Sequence, residues 1–201
     1  MPALVAAQTR RAPAPPDPAV SFRPFFLATG EQFAAVKTFE AAFAGKASGP
    51  FWGGGVQLDF RRGVFVELSV SRFSRTGQRA FVSNAQVFPL GIPLTTTVTP
   101  IEVTAGARVR ATPRIVPYVG GGVGRYGYSE TSAFSDDLNA DHIGFVVFGG
   151  TEVHVSRWIG VGIDAQLTQV SGILGDAGLS KDLGETDLGG TSVPVKILIG
   201  R

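Results

Sequence analysis

The sequence predicts an all-β fold: a closed, antiparallel, up-and-down barrel of eight strands. Two observations carry this. Apolar and polar residues alternate strictly in run after run between Pro50 and the C-terminus, and the connections between the runs are by turns very short and long. In Ile159-Gly160-Val161-Gly162-Ile163-Asp164-Ala165-Gln166-Leu167-Thr168 every odd position is aliphatic and every even one is Gly, acidic, amide or hydroxyl. Successive side chains of a strand point to opposite faces, so such a run has one greasy wall and one polar wall.

Taken in order, the first strand, residues 21–29, is the least regular, because Phe25-Phe26-Leu27 puts apolar groups on both faces. The second, 51–60, contains Val56-Gln57-Leu58-Asp59-Phe60, and the third, 64–73, contains Val66-Glu67-Leu68-Ser69-Val70-Ser71. The fourth, 97–110, is read from Val103-Thr104-Ala105-Gly106-Ala107-Arg108-Val109. Residues 117–128 form the fifth, 143–155 the sixth with Thr151-Glu152-Val153-His154-Val155, 158–170 the seventh and 188–200 the eighth. Connections 61–63, 111–116 and 156–157 are tight; 30–50, 74–96, 129–142 and 171–187 are long. Within the first long connection, Phe33, Val36, Phe39, Ala42 and Phe43 recur at near-helical spacing, which suggests a short amphipathic helix over the barrel mouth or membrane surface, or else ordinary core packing. The stretch 78–93, with Phe81, Val82, Val87, Phe88, Leu90 and Ile92, is apolar for a loop; docking on lipid, extension of the hairpin and binding of a partner all fit.

Composition limits the alternatives. The chain has 201 residues, 27 glycines and 13 prolines, only 17% charged residues and a net charge of +2; its mean hydropathy is +0.20. No segment approaches the roughly 18 apolar residues of a membrane helix, so a membrane crossing must use strands. Cysteine is absent, which removes disulfides, thiolate metal sites and cysteine nucleophiles. The scattered basic residues give no nucleic-acid footprint. Residues 1–20 read as a flexible leader, in which Ala3-Leu4-Val5-Ala6-Ala7-Gln8 looks like the end of a signal peptide. One domain, 21–201, follows.

Alternation alone does not say which wall is inside, because a soluble ligand-binding barrel has the same period with the apolar face inward. Glycine decides it. Gly120, Gly122 and Gly124 share a parity with Tyr118 and Tyr126, and Gly160 and Gly162 share that of Asp164 and Gln166. In a narrow interior, glycine makes room for long side chains from across the lumen, so the polar wall faces in and the barrel is transmembrane. Val66, Leu68, Val153, Val161, Ile163 and Leu167 are then lipid-facing. Asp59, Glu67, Glu102, Glu152 and Asp164 line the lumen against Arg108, Arg110, Lys196 and Arg23. Trp52, Phe60, Tyr118 and Trp158, with Tyr126, Tyr128 and Phe145, fall near strand ends as two interfacial aromatic girdles would.

The run Pro117-Tyr118-Val119-Gly120-Gly121-Gly122-Val123-Gly124, the strand Gly149-Gly150-Thr151-Glu152-Val153 leading into a Ser-Arg-Trp turn, and the loop rhythm resemble the small outer-membrane β-barrel proteins of Gram-negative bacteria, of the OmpA/OmpX and OmpW types. The resemblance covers about residues 20–201. It implies short periplasmic turns, long extracellular loops and an outer-membrane location. It also implies outer-membrane lipids, lipopolysaccharide and the barrel-assembly machinery as partners, although residues 197–201 lack the terminal aromatic usual in such proteins. Pro24 and Pro194 fall in the two strands that close the barrel, and each removes a ladder donor, so a bulge or loosened seam is expected there.

Inward acids and bases in near balance predict a salt-bridge network that fills the lumen, since buried ions are costly unless paired; a gated ion path is the functional alternative. For catalysis the inventory is thin. His142 and His154 are about 40 Å apart along one strand and cannot share a metal or triad. A lipid-hydrolase cluster of His142 with Ser129, Ser132 or Ser135 and Asp136, Asp137 or Asp141 can be drawn, but these are residue types that loops favour anyway. Asp176, Asp182, Glu185 and Asp187 match no cation-loop spacing and read as solvated loop tips. The expectation is a non-enzymatic barrel that serves as a rigid anchor for its loops, with no cofactor, no metal and no catalytic residue. A narrow transporter of small apolar solutes, which a hydrophobic upper lumen would favour, is the alternative; a lipid A-modifying enzyme and a soluble ligand-binding barrel rank lower.

Overall fold

The computed structural model describes residues 20–43, 45–83, 86–109, 114–132, 135–175 and 178–200. Residues 1–19 of the expected leader, Arg110 and Asp176 lie outside them, and Val20, the leader's last residue, is the first of β1. The elements run β1 (Val20–Phe33), α1 (Val36–Ala42), β2 (Ser48–Phe60), a 3₁₀ turn (Arg61–Gly63), β3 (Val64–Ser83), β4 (Gln86–Arg108), β5 (Ile115–Ser132), β6 (Ser135–His154), β7 (Ile159–Val170), α2 (Gly178–Leu183) and β8 (Leu188–Ile199). Each strand pairs antiparallel with its sequence neighbours and β8 pairs with β1, closing an eight-stranded barrel. Within the closed girth no sheet edge is free, which is what a strand needs in order to cross hydrocarbon.

Two expected loops are largely strand. The β3–β4 ladder continues from Ser74↔Thr97 to Ser83↔Gln86 with one irregularity between Gln78 and Ala80, and β5–β6 continues to Ser132↔Ser135. Of the three readings offered for residues 78–93, extension of the hairpin is the one observed. The barrel is therefore tall along β3 to β6 and short elsewhere. β-branched Thr95, Thr96, Thr97 and Val98 suit a pleated strand, and inward-facing Leu94, Thr96 and Val98 are buried.

The seam differs from expectation. β1 and β8 pair without a register shift from Phe25↔Leu198 to Phe33↔Gly190, and Pro24 sits below that ladder, paired to Val56 of β2 alone. Pro194 instead interrupts the β7–β8 ladder between Ile163↔Val195 and Gln166↔Ser192, with the register kept on both sides. No bulge forms, because the missing donor is confined to a single gap.

The tight turns have local causes. Arg62 (φ 77°) and Gly63 (φ 81°) reverse the chain between β2 and β3 in the left-handed region. At the β6–β7 turn the Ser156 hydroxyl accepts hydrogen bonds from the backbone N–H groups of Trp158 and Ile159, both at 3.1 Å. At the opposite end α1 turns back over the mouth, with Phe39 and Ala42 buried beneath it.

Candidate functional site

Charged and aromatic side chains enter the lumen in layers. At the level of the short turns, Arg23 (β1) and Arg108 (β4) alternate with Asp59 (β2) and Glu152 (β6) in a ring. Arg108 reaches Asp59 at 3.0 Å and Glu152 at 2.9 Å. Arg23 reaches Asp59 at 3.4 Å and grips both oxygens of Glu152. Gln57 donates to Asp59 at 2.9 Å, and His154 lies 3.1 Å from Glu152. One layer up, Lys196 (β8) sits between Glu67 (β3, 2.8 Å) and Asp164 (β7, 3.1 Å), and the Tyr118 hydroxyl donates to Asp164. The cations also lie over rings: Arg108 5.2 Å from the centroid of Phe65, and Lys196 5.5 and 5.3 Å from Phe25 and Phe148. Higher still, Glu102 accepts from the Tyr126 hydroxyl at 2.6 Å.

Glycine supplies the space. A Cβ on Gly160 would meet the Glu152 carboxylate and come within 2.8 Å of the Arg23 guanidinium; one on Gly162 would lie 2.9 Å from the Tyr118 hydroxyl, and one on Gly124 2.9 Å from Glu102. Larger residues there would expel the charged side chains that occupy the interior.

Above the ionic layers the lumen becomes aromatic. Phe33 stacks on Phe39 at 3.9 Å and packs edge-on to Phe73 at 5.2 Å. Phe51 joins Phe73 at 5.3 Å, and Arg75 lies over Phe43 at 5.0 Å. α1 is held on this cluster from the β7–β8 connection: the Glu185 carboxylate accepts from the backbone N–H of Lys37 at 3.1 Å and of Thr38 at 2.8 Å. An anion at two unsatisfied N–H groups of a helix start is a favourable cap. Glu185 is thus a clamp, not the solvated loop tip expected. Asp187 is likewise engaged, accepting from Gly172 N–H at 3.2 Å.

The outward wall is apolar. Leu68, Val153, Ile163 and Leu167 are exposed on it, and Val66 and Val161 are partly exposed beside them. Trp52, Phe60 and Trp158 also point outward and are exposed. Together, an eight-stranded closed barrel, an apolar exterior and a polar interior describe one kind of protein, and the family model for the outer membrane protein beta-barrel domain matches residues 11–193. The chain belongs to that family. As an outer-membrane β-barrel protein it has its short turns in the periplasm and its long hairpins and helices outside. Among solved structures it is similar to Neisserial surface protein A, at 11% identity over 90% of this chain and 99% of that one, with a TM-score of 0.59. It is also similar to the N-terminal β-barrel domain of Pseudomonas aeruginosa OprF, at 13% identity over 89% and 97%, with a TM-score of 0.50. Both likenesses concern the fold. No curated protein sequence matches the chain.

In this outer-membrane barrel Tyr118 is not an interfacial aromatic. It shares the inward parity of Gly120 and Gly122 and is buried, because its phenol needs a polar partner and finds Asp164. Tyr126 and Tyr128 are buried for the same reason, bonded to Glu102 and Glu130. Of the charged residues that the sequence assigns to the lumen, the described ones are Asp59, Glu67, Glu102, Glu152 and Asp164 against Arg23, Arg108 and Lys196, an excess of acid among them. Of the residues drawn together as a hydrolase cluster, Asp141 points outward to Arg125 at 2.9 Å, adjacent His142 takes the opposite face of the strand, and the Ser132 hydroxyl donates to the Pro93 carbonyl; the side chains of Ser135, Asp136 and Asp137 lie outside the described residues. Among the described residues no group of three His, Asp or Glu side chains is placed to hold a metal.

Proposed function

We propose that this outer-membrane barrel is a non-enzymatic anchor whose lumen is plugged and whose tall hairpins and mouth helices form its working surface. One observation supports the reading above others. From the periplasmic end upward, the interior is occupied by paired charges and then by stacked rings. An internal cavity between them, bordered by Glu31, Glu102, Tyr126 and Gln166, has a volume of about 30 Å³, space for no more than a few waters. A conducting pore needs a continuous aqueous file, and a rigid, filled barrel suits display. The partners proposed are the lipids of the outer membrane, lipopolysaccharide among them, and the machinery that assembles barrels there. The test is conductance of the purified, folded protein in planar bilayers.

A second reading, a narrow transporter of small apolar solutes, is favoured by the apolar upper lumen. In that case α1 is a gate, and releasing it by Glu185→Ala accelerates uptake of a small hydrocarbon into proteoliposomes. Equal uptake by wild type, variant and protein-free vesicles rules the transporter out.

A further inference from the structure

On the tall side of the barrel the outward face changes character at one level. The apolar band ends at Val70 on β3 and Ile101 on β4, which are cross-strand partners. The next outward position on β3 is Arg72, exposed and directly opposite the exposed Trp52 of β2. Above it the outward side chains of three adjacent strands are hydroxyls. Ser74, Thr97 and Ser129 form one row across β3, β4 and β5, and Thr76, Thr95 and Thr131 the next. The rows are tied laterally, Ser74 to Thr97 at 3.2 Å and Thr76 to Thr95 at 2.9 Å. Rows on one face of a sheet lie about 7 Å apart and strands about 4.8 Å apart, so the six hydroxyls form a regular lattice on the barrel wall. β7 and β8 stop at Val170 and Leu188, so this lattice belongs to one sector of the barrel.

We propose that this sector is a binding site for the phosphorylated, sugar-bearing lipid of the outer leaflet, with acyl chains on the apolar band, phosphate at Arg72 and the first sugars on the hydroxyl lattice. Three chemistries are stacked in the order in which such a lipid presents them: hydrocarbon, anion, polyol. Arg72 supplies the charge complementarity, a guanidinium at the boundary being well suited to phosphate oxygens. The lattice is continuous with the band that meets the membrane, so a lipid lying along the wall reaches it without leaving the leaflet. Serine and threonine hydroxyls both donate and accept, matching sugar hydroxyls that do the same. The site rests on the proposal that lipopolysaccharide is a partner and is independent of whether the lumen conducts.

The test uses the full chain folded in phospholipid nanodiscs, with folding of each variant checked by heat-modifiable gel migration. Three lipids are titrated: lipopolysaccharide with its inner-core sugars, lipid A without them, and phosphatidylglycerol as an anionic lipid without sugar. Binding is read by native mass spectrometry, with threonine-methyl NMR shifts giving position. The double variant Thr95→Val/Thr97→Val keeps strand-forming shape and removes two hydroxyls. It is expected to weaken core-bearing lipopolysaccharide about tenfold and to leave lipid A unchanged, a difference worth about 1.4 kcal/mol. Arg72→Ala is expected to weaken both phosphorylated glycolipids. If core-bearing lipopolysaccharide binds wild type and valine variant equally, or shifts the β7–β8 face instead, the site is wrong while the partner stands. If neither glycolipid binds wild type better than phosphatidylglycerol, the partner reading itself fails.

Discussion

Glu185, in the connection between β7 and β8, accepts a 2.8 Å hydrogen bond from the backbone N–H of Thr38, 147 residues away in α1. Together with the bond from Lys37 it fixes the helix whose Phe39 closes the barrel mouth. Removing the carboxylate in Glu185→Ala should cost about 1 kcal/mol locally, the usual value of a lost helix cap. The amides of residues 37–43 should exchange faster while those of β3 to β6 keep their protection. Unchanged exchange in α1 would show that aromatic packing alone holds it.

A stronger effect is expected inside. Glu152 is fully buried and bonded by both Arg23 and Arg108. Glu152→Ala leaves two buried guanidiniums with Asp59 as the one anion they still share, and breaking a buried pair in this way costs about 3 to 5 kcal/mol. The loss is measured by urea unfolding in detergent micelles. A variant as stable as wild type would mean that water enters the ring and solvates it.

Much of this was legible in the sequence, and the part that was not has a physical cause. Strand number, closure, the two walls and the space-making role of Gly160 and Gly162 follow from period-two alternation, because the pleat forces parity on every side chain. The same parity placed Tyr118 with Gly120 on the inward wall; its position near a strand end was the misleading signal, since aromatics at strand ends suggest a girdle. The Glu185 clamp had no sequence signal, because it joins distant segments through backbone N–H groups that any residue carries. Strand length was hidden too: Phe81-Val82 and Val87-Phe88 are apolar at both parities and Thr95-Thr96-Thr97 carry hydroxyls at both, so the alternation that marks a strand disappears while its ladder continues.

The outward wall gives a third prediction. Ile163 is exposed on β7, midway along an apolar row from Ile159 to Leu167. Arginine at a bilayer midplane in such barrels costs about 2 to 4 kcal/mol, falling toward the interfaces. Ile163→Arg should therefore be far more damaging to folding into vesicles than the same change at Ile143, beside the polar Asp141 and His142. Equal costs at the two positions would place the hydrocarbon centre elsewhere.

The β2–β3 turn offers a stabilising change. Arg62 holds φ 77°, a left-handed conformation unfavourable for a residue with a Cβ, and its side chain is exposed. Arg62→Gly should raise stability by roughly 1 kcal/mol. The neighbouring Gly63 should not tolerate alanine, whose Cβ would lie 2.9 Å from the Arg108 carbonyl oxygen. Unfolding midpoints of the two variants should move in opposite directions.

The proposed plugging of the lumen is tested most directly by electrical recording. The ring of Arg23, Asp59, Arg108 and Glu152 and the layer of Lys196, Glu67 and Asp164 lie in the lumen below the aromatic cluster, and on the proposal they block it. Purified, heat-modifiable protein inserted into planar bilayers should give no stable single-channel steps across the voltage range that the bilayer tolerates. Reproducible unitary currents of constant size from the wild-type protein would contradict the plug and make the barrel a channel.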